Sequence, residues 1–196
     1  MSAFETDTFT EASDLTLASH VPNDGGSWTK HGSFSGTATV VAAEGRVRGD
    51  STTNLAYYYH SGVPLSADYD VEAICRFSVA DATGNPGVCS RIDTTTGTLY
   101  EWVMGAFSFL LRRLVAGAAT QIGSYGVPVI NTDYVLKLST SGTTIKAYLD
   151  GVERISVTDS AISAAGKAGI RLRQNSRMDS YSVSDQRNTW YAFAQQ

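Results

Sequence analysis

The stretch 133-DYVLKLSTSGTTIKAYLDGVERISV-157 decides the fold class. Apolar and polar residues alternate along it with the period of two that a half-buried strand imposes. A two-residue turn at Ser141-Gly142 sets Tyr134, Leu136 and Leu138 opposite Leu149, Ala147 and Ile145, six mostly apolar side chains on one face. Val135, Lys137 and Lys146 then point to the other face. Asp150-Gly151 is the residue pair favoured by a type I′ turn, whose two central residues both need positive φ. A strict turn there would put Ile155 beside Lys146, so a bulge or register change is expected after Gly151. The segment reads as a three-stranded antiparallel meander.

Working outward, strand-like runs recur on both sides: TATVVAA, GRVRG, NLAYYYH, YDVEAICRFSVA, GVCSRID, LYEWVM, FSFLLRRLV, TQIGS, AGIRLRQ and MDSYSVSD. Turn signals such as AEG, ATGNPG, TTTG and VAGAA separate them. Only TDSAISAAGKAG, residues 158–169, has room for a helical turn. So many short strands in 196 residues predict an all-β, two-sheet antiparallel sandwich or jelly roll. With no Pro-rich, Ser-rich or charge-dense divide, the chain reads as one domain over residues 1–185 with a short C-terminal extension, residues 186–196.

Composition excludes some partners. A formal net charge of -4 gives no overall attraction to nucleic acid or to an anionic membrane, and neither is expected as a partner. The opening MSAFETDTFTEASDL lacks the basic and apolar regions of a secretory signal, and no apolar run reaches 18 residues, so synthesis in a cytoplasm and a soluble product are expected. Cys75 and Cys89 would face each other if VEAICRFSV and GVCSRID formed a hairpin around DATGNPG. Two buried thiols are expected rather than a disulfide, because nothing indicates an oxidising compartment.

The opening DTFTEASDLTLASHVPNDGGSWTKH, the central YVLKLSTSGTTIKAYLDGVERISV and the closing AGIRLRQNSRMDSYSVSD together resemble the concanavalin A-like, laminin-G-like jelly rolls. The resemblance spans about residues 5–185. It implies that the first and last strands lie side by side, through DTF and MDSYSV. The opening LASHVPNDGGSWTKHG is also similar to virion-associated proteins of tailed bacteriophages. That likeness implies a non-catalytic structural protein on the virion surface, in capsid decoration or a fibre, made in the host cytoplasm. Its implied partners are other virion subunits, further copies of itself and a cell-surface polysaccharide. A free carbohydrate-binding module or lectin is the alternative, and a polysaccharide hydrolase or lyase ranks third.

The residues themselves argue against catalysis. Glucan-cleaving enzymes of this fold carry a Glu-x-Asp-x-Glu strand, whose alternation puts nucleophile and acid on one face. Glu72 and Glu101 each stand without a carboxylate two residues along and are expected to face solvent, while Asp68 and Asp70 are expected to close a turn. His60 and the arginines form no lyase motif, and His20 and His31 have no metal partner in the sequence. No catalytic residue, metal site or cofactor is expected. For binding, Tyr57 and Tyr59 share one strand face and Tyr100 aligns with Trp102. The glycan-binding candidates are Tyr57, Tyr59 and Trp102 for stacking, with Arg91 and Arg113 donating to hydroxyls or a carboxylate. The end, QRNTWYAFAQQ, concentrates Trp190, Tyr191 and Phe193 beyond the last strand and is expected to act as an assembly arm onto a partner.

Overall fold

The computed structural model describes residues 3–51, 53–77, 85–174 and 176–186. The expected aromatic arm, Trp190, Tyr191 and Phe193, lies outside the described residues. The strands among them are β1 (Ala3–Asp7), β2 (Leu15–Thr16), β3 (Trp28–Lys30), β4 (Ala38–Val41), β5 (Arg46–Gly49), β6 (Ala56–His60), β7 (Tyr69–Phe77) and β8 (Gly87–Ile92). They continue as β9 (Leu99–Met104), β10 (Phe109–Val115), β11 (Ala118–Tyr125), β12 (Tyr134–Ser141), β13 (Thr144–Leu149), β14 (Val152–Thr158), β15 (Lys167–Leu172) and β16 (Ser176–Asp185).

Two antiparallel sheets form a jelly-roll sandwich. The nine-stranded sheet runs β14-β13-β12-β7-β16-β5-β4-β2, with β1 also paired to β16, and the seven-stranded sheet runs β11-β10-β9-β8-β15-β6-β3. First and last strands lie side by side as expected, Thr6 opposite Ser182 and Asp7 opposite Tyr181. All ten of the other strand-like runs contain strands, and Leu15–Thr16 and Trp28–Lys30 add two too short to show a period.

The meander forms with one correction. Leu136 pairs with Leu149, Leu138 with Ala147 and Thr140 with Ile145, so the two-residue loop is Gly142-Thr143 rather than Ser141-Gly142. Gly142, at φ +54°, takes the first loop position, where a type II′ turn needs glycine. The register moves by two residues, which leaves every side chain on its expected face. Asp150 and Gly151 both have positive φ, +50° and +77°, as the type I′ turn requires. The anticipated bulge is present: Tyr148 faces Glu153 and Ala147 faces Ile155, leaving Arg154 as the extra residue.

Two other expectations fail. Cys75 and Cys89 are buried and free, but no hairpin joins their strands. β7 pairs with β12 and β16 in one sheet, whereas β8 pairs with β9 and β15 in the other. Residues 159–166 form no helix; a Cβ on Gly166 would lie 2.4 Å from the Arg91 carbonyl carbon, so this segment packs backbone to backbone on β8. Among the described residues the helical turn is instead a 3-10 turn at Leu17–Ser19.

The core lies between the sheets. Val71, Ala73, Cys75, Leu136, Leu138 and Ala147 on one side meet Val88, Trp102, Met104, Leu111 and Ile170 on the other. The Trp102 indole N–H, stranded in this apolar layer, donates to the Tyr148 carbonyl at 2.9 Å. At the β1–β16 seam, two buried histidines each sit between two carboxylates. His20 Nε2 is 2.9 Å from Asp7 and its Nδ1 is 2.6 Å from Glu11; His60 Nδ1 is 3.3 Å from Glu5 and its Nε2 is 3.2 Å from Asp24. Trp28 Nε1 donates to Asp7 at 2.6 Å and the Tyr181 hydroxyl to Glu5 at 3.0 Å. Burial alone would lower both histidine pKa values, but the hydrogen bonds and negative charge of these carboxylates outweigh it and raise them.

Candidate functional site

The five residues expected to bind a glycan do not assemble into one surface. Trp102 is fully buried between the sheets, and Tyr57 is buried on the outer side of the seven-stranded sheet under Phe34, ring centroids 4.0 Å apart. Arg91 is buried too, its guanidinium donating to the carbonyls of Ala67, Ile162 and Gly142 at 2.7 to 3.0 Å. It is a clamp on three loops, and with 2% of its surface exposed it offers a sugar nothing to stack on or bond to. Arg113 is held by Asp159 at 2.6 Å. Tyr59 is half-buried beside His31. Strand alternation put Tyr57 on an outer face but gave no sign that this face would be roofed by loops, and it did not say that Trp102 takes the inner face.

The outer face of the seven-stranded sheet shows that roof. Glu101, expected in solvent, has no exposed surface. It accepts the Tyr57 hydroxyl at 2.7 Å, pairs with Arg112 and lies 3.5 Å from Arg171, which is itself buried and donates to the Asn85 carbonyl at 3.1 Å. Burial, then the negative charge of Glu101, pushes the Tyr57 phenol well above its ordinary range. Two guanidiniums flanking one carboxylate make a cross-braced network, and a buried, doubly paired Glu101 is not available as a general acid or base.

The nine-stranded sheet turns a different face outward. The partners across it are Ser182–Glu72–Lys137–Tyr148–Glu153 in one row and Ser184–Asp70–Ser139–Lys146–Ser156 in the next. Between these rows lies an open depression of about 530 Å³, lined by Asp70, Lys137, Ser139, Lys146, Tyr148 and Gln186 among others. Lys137 Nζ sits 4.2 Å from the centre of the Tyr148 ring and 3.6 Å from Asp70. The Gln186 amide donates to Asp70 and to Ser139 Oγ, both at 2.5 Å. Lys146 Nζ and the Tyr148 hydroxyl converge on Glu153 at 2.9 and 3.2 Å. This contact raises the Lys146 pKa and lowers that of Glu153. The groove thus interleaves two ammoniums, two carboxylates, an amide and hydroxyls around one aromatic ring, an array of alternating donors and acceptors suited to a polyhydroxylated ligand.

The sequence signal for this groove is parity: Tyr148 falls on the same strand face as Lys137 and Lys146. Asp68 braces the distant β12–β13 turn, accepting the Gly142 amide at 2.7 Å, and Asp70 belongs to the groove.

A second depression, about 510 Å³, opens at one end of the sandwich between Thr94, Thr98 and the 161–167 segment. Its charged groups are spoken for. Lys167 Nζ donates to the carbonyls of Ser61 and Gly62, and hydrogen bonds from Thr95, then Thr96, hold the Asp93 carboxyl down at about 2. It offers apolar walls and few free polar atoms.

No family model and no curated protein matches this sequence. Solved structures do match in fold. The carbohydrate-binding module CBM66 from Bacillus subtilis is 21% identical with a TM-score of 0.66, over 81% of this chain and 95% of that one. The exoplasmic/lumenal domain of VIP36, in its Ca2+/Man-bound form, is 10% identical with a TM-score of 0.65, over 89% and 90%. A protein from work on endo-acting O-glycanases of the human gut microbiota is 12% identical with a TM-score of 0.63, over 94% and 99%. At these identities the likeness is one of fold, and the fold is the galectin-like, carbohydrate-binding-module jelly roll that the concanavalin A-like resemblance implied.

Proposed function

We propose that this chain is a non-catalytic carbohydrate-binding module whose ligand lies on the outer face of the nine-stranded sheet. The observation that carries the reading is the open groove around Tyr148, where Asp70, Lys137, Ser139, Lys146 and Gln186 converge. Its support from the comparisons is the fold shared with a carbohydrate-binding module and with a domain described in a mannose-bound form. That fold also occurs in work on O-glycanases, so fold does not separate binding from cleavage. The side chains favour binding: Asp70 and Glu153 are engaged by Lys137, Gln186 and Lys146, and Glu101 is buried against arginines.

Binding of the purified protein to a glycan array tests the reading. Retention of particular glycans by the wild type, weakened about tenfold in Tyr148→Ala by loss of the aromatic platform and its neighbours' positions, is expected. Release of reducing ends or unsaturated uronates from any retained polysaccharide would contradict the non-catalytic part. The virion role implied by the sequence stays a separate proposal. Truncation after Asp185 is expected to leave the sandwich folded while removing self-association or virion incorporation, and normal assembly by the truncated chain would contradict it.

A further inference from the structure

On the same outer face, farther along the strands, three arginines occupy one cross-strand row. Arg48 on β5 is the direct partner of Arg177 on β16, which is the direct partner of Arg76 on β7. Like charges directly opposite one another destabilise a sheet unless other groups answer them. The carboxylates that answer them come from outside the row. Glu44 pairs with Arg177, Asp133 with both Arg76 and Arg46, and Asp50 stands 3.9 Å from Arg48, beyond hydrogen-bond length. Direct pairs therefore set three carboxylates against four guanidiniums. Asp179, one row away, accepts from the Ser180 amide and acts on Arg46 only through space.

Asp133 shows what the cluster does to a carboxylate. Arg46 grips its two oxygens at 2.7 and 3.0 Å, and Arg76 approaches the same pair at 2.9 and 3.3 Å. Such forked contacts are the geometry by which guanidinium recognises carboxylate or sulfate. Open depressions flank Arg177 on both sides: about 350 Å³ bounded by Glu44, Arg46, Arg76 and Asn131, and about 240 Å³ bounded by Arg48, Asp50 and Gln174. Arg48 and Arg76 keep 39% and 37% of their side-chain surface exposed; Asp133 takes the Nε–Nη2 edge of Arg76, so the freer fork is that of Arg48. From Arg76 to Glu72, beside the Tyr148 groove, is four residues of strand, roughly 14 Å.

We propose that this arginine row binds an acidic group, a carboxylate or sulfate, carried by the glycan that occupies the Tyr148 groove, so that the ligand is an acidic oligosaccharide. The inference rests on the carbohydrate reading above and extends it to a ligand class. The Tyr148 groove holds sugar hydroxyls, and the arginine row selects for charge.

The test is an array of neutral, uronate-containing, sialylated and sulfated glycans, probed with wild type, Arg177→Gln, Arg48→Gln and Tyr148→Ala at low and high salt, with thermal melts on each variant. Expected are hits confined to acidic glycans, weakened about tenfold by either arginine change and similarly by high salt, which screens exposed charges. Arg48, whose carboxylate partner lies 3.9 Å away, is the variant that decides if Arg177→Gln does not fold. Neutral hits, or acidic hits indifferent to salt and to both arginine changes, with Tyr148→Ala still impaired, would overturn this inference and leave the binding function standing. Complete displacement by inorganic sulfate, together with indifference to the sugar, would overturn it by showing a bare anion site. No retained glycan, or hits unaffected by Tyr148→Ala, would overturn the carbohydrate reading itself.

Discussion

The two sheets send residues outward with the same alternation, yet their outer faces are opposites. On the seven-stranded sheet, Tyr57, Glu101 and Arg171 lie buried beneath Phe34 and neighbouring loops. On the nine-stranded sheet, Asp70, Lys137, Lys146 and Tyr148 border an open groove. One face spends its charged groups on holding the fold, and the other leaves them in reach of a ligand. The same residue types therefore have opposite consequences when changed. A carboxylate lost from the roofed face strands buried guanidiniums, whereas one lost from the open face is replaced by water.

The largest effect should come from Glu101→Ala. It leaves Arg112 and Arg171 without their shared counter-charge, at a cost of about 3–5 kcal/mol, which corresponds to a fall in Tm of roughly 6–20 °C for a chain of this size. Thermal melts of this variant beside Glu153→Ala on the open face check it, and equal losses from both would erase the distinction between the faces. Tyr57→Phe should cost less, about 1–3 kcal/mol, because one buried Glu101 oxygen loses its donor while the ring still packs on Phe34. Glycan binding should be unchanged in that variant.

The histidine seam adds a dependence on pH. His20 and His60 have folded-state pKa values raised above the ordinary 6.5. Their contribution is fully present below that value and is lost as pH rises through the folded pKa of each. Melting temperature should therefore fall as pH is raised from 6 to 9, and the slope should flatten in a His20→Gln, His60→Gln double variant. A stability that climbs over that interval would contradict the assignment of charged histidines to the seam. Tyr148→Ala should have the smallest effect on stability, leaving Tm nearly unchanged while binding drops, because its ring packs at the surface under Lys137.

What the sequence made legible follows from what alternation encodes. It located the meander, the opposite faces of Tyr57 and Tyr58, and the face that Lys137 takes; the pairing of first and last strands came from the concanavalin A-like resemblance instead. The loop at Gly142-Thr143 differed by one position because two turn types compete for one glycine, and the period of two is blind to a slip of two. Alternation also cannot say what covers a face. Phe34 reaches Tyr57 across more than twenty residues of chain, and Arg91 finds its carbonyl partners in three loops remote from one another. Hence Tyr57, Arg91 and Trp102 looked available as binding residues when each was already committed. The groove itself needs Gln186, Asp70 and Tyr148 from three strands or strand ends to meet, a relation visible only once β7 is known to sit between β12 and β16.

The most direct test of the account is amide chemical-shift mapping of the isotopically labelled protein during titration with a glycan retained on the array. The account predicts shifts along β7, β12 and β13 around Asp70, Ser139, Lys146 and Tyr148, with β6 and β9 unmoved. Shifts concentrated instead at Tyr57, Tyr59 and Glu101, or at Thr94–Thr98 and residues 161–167, would contradict it and move the binding site to the roofed face or to the end of the sandwich.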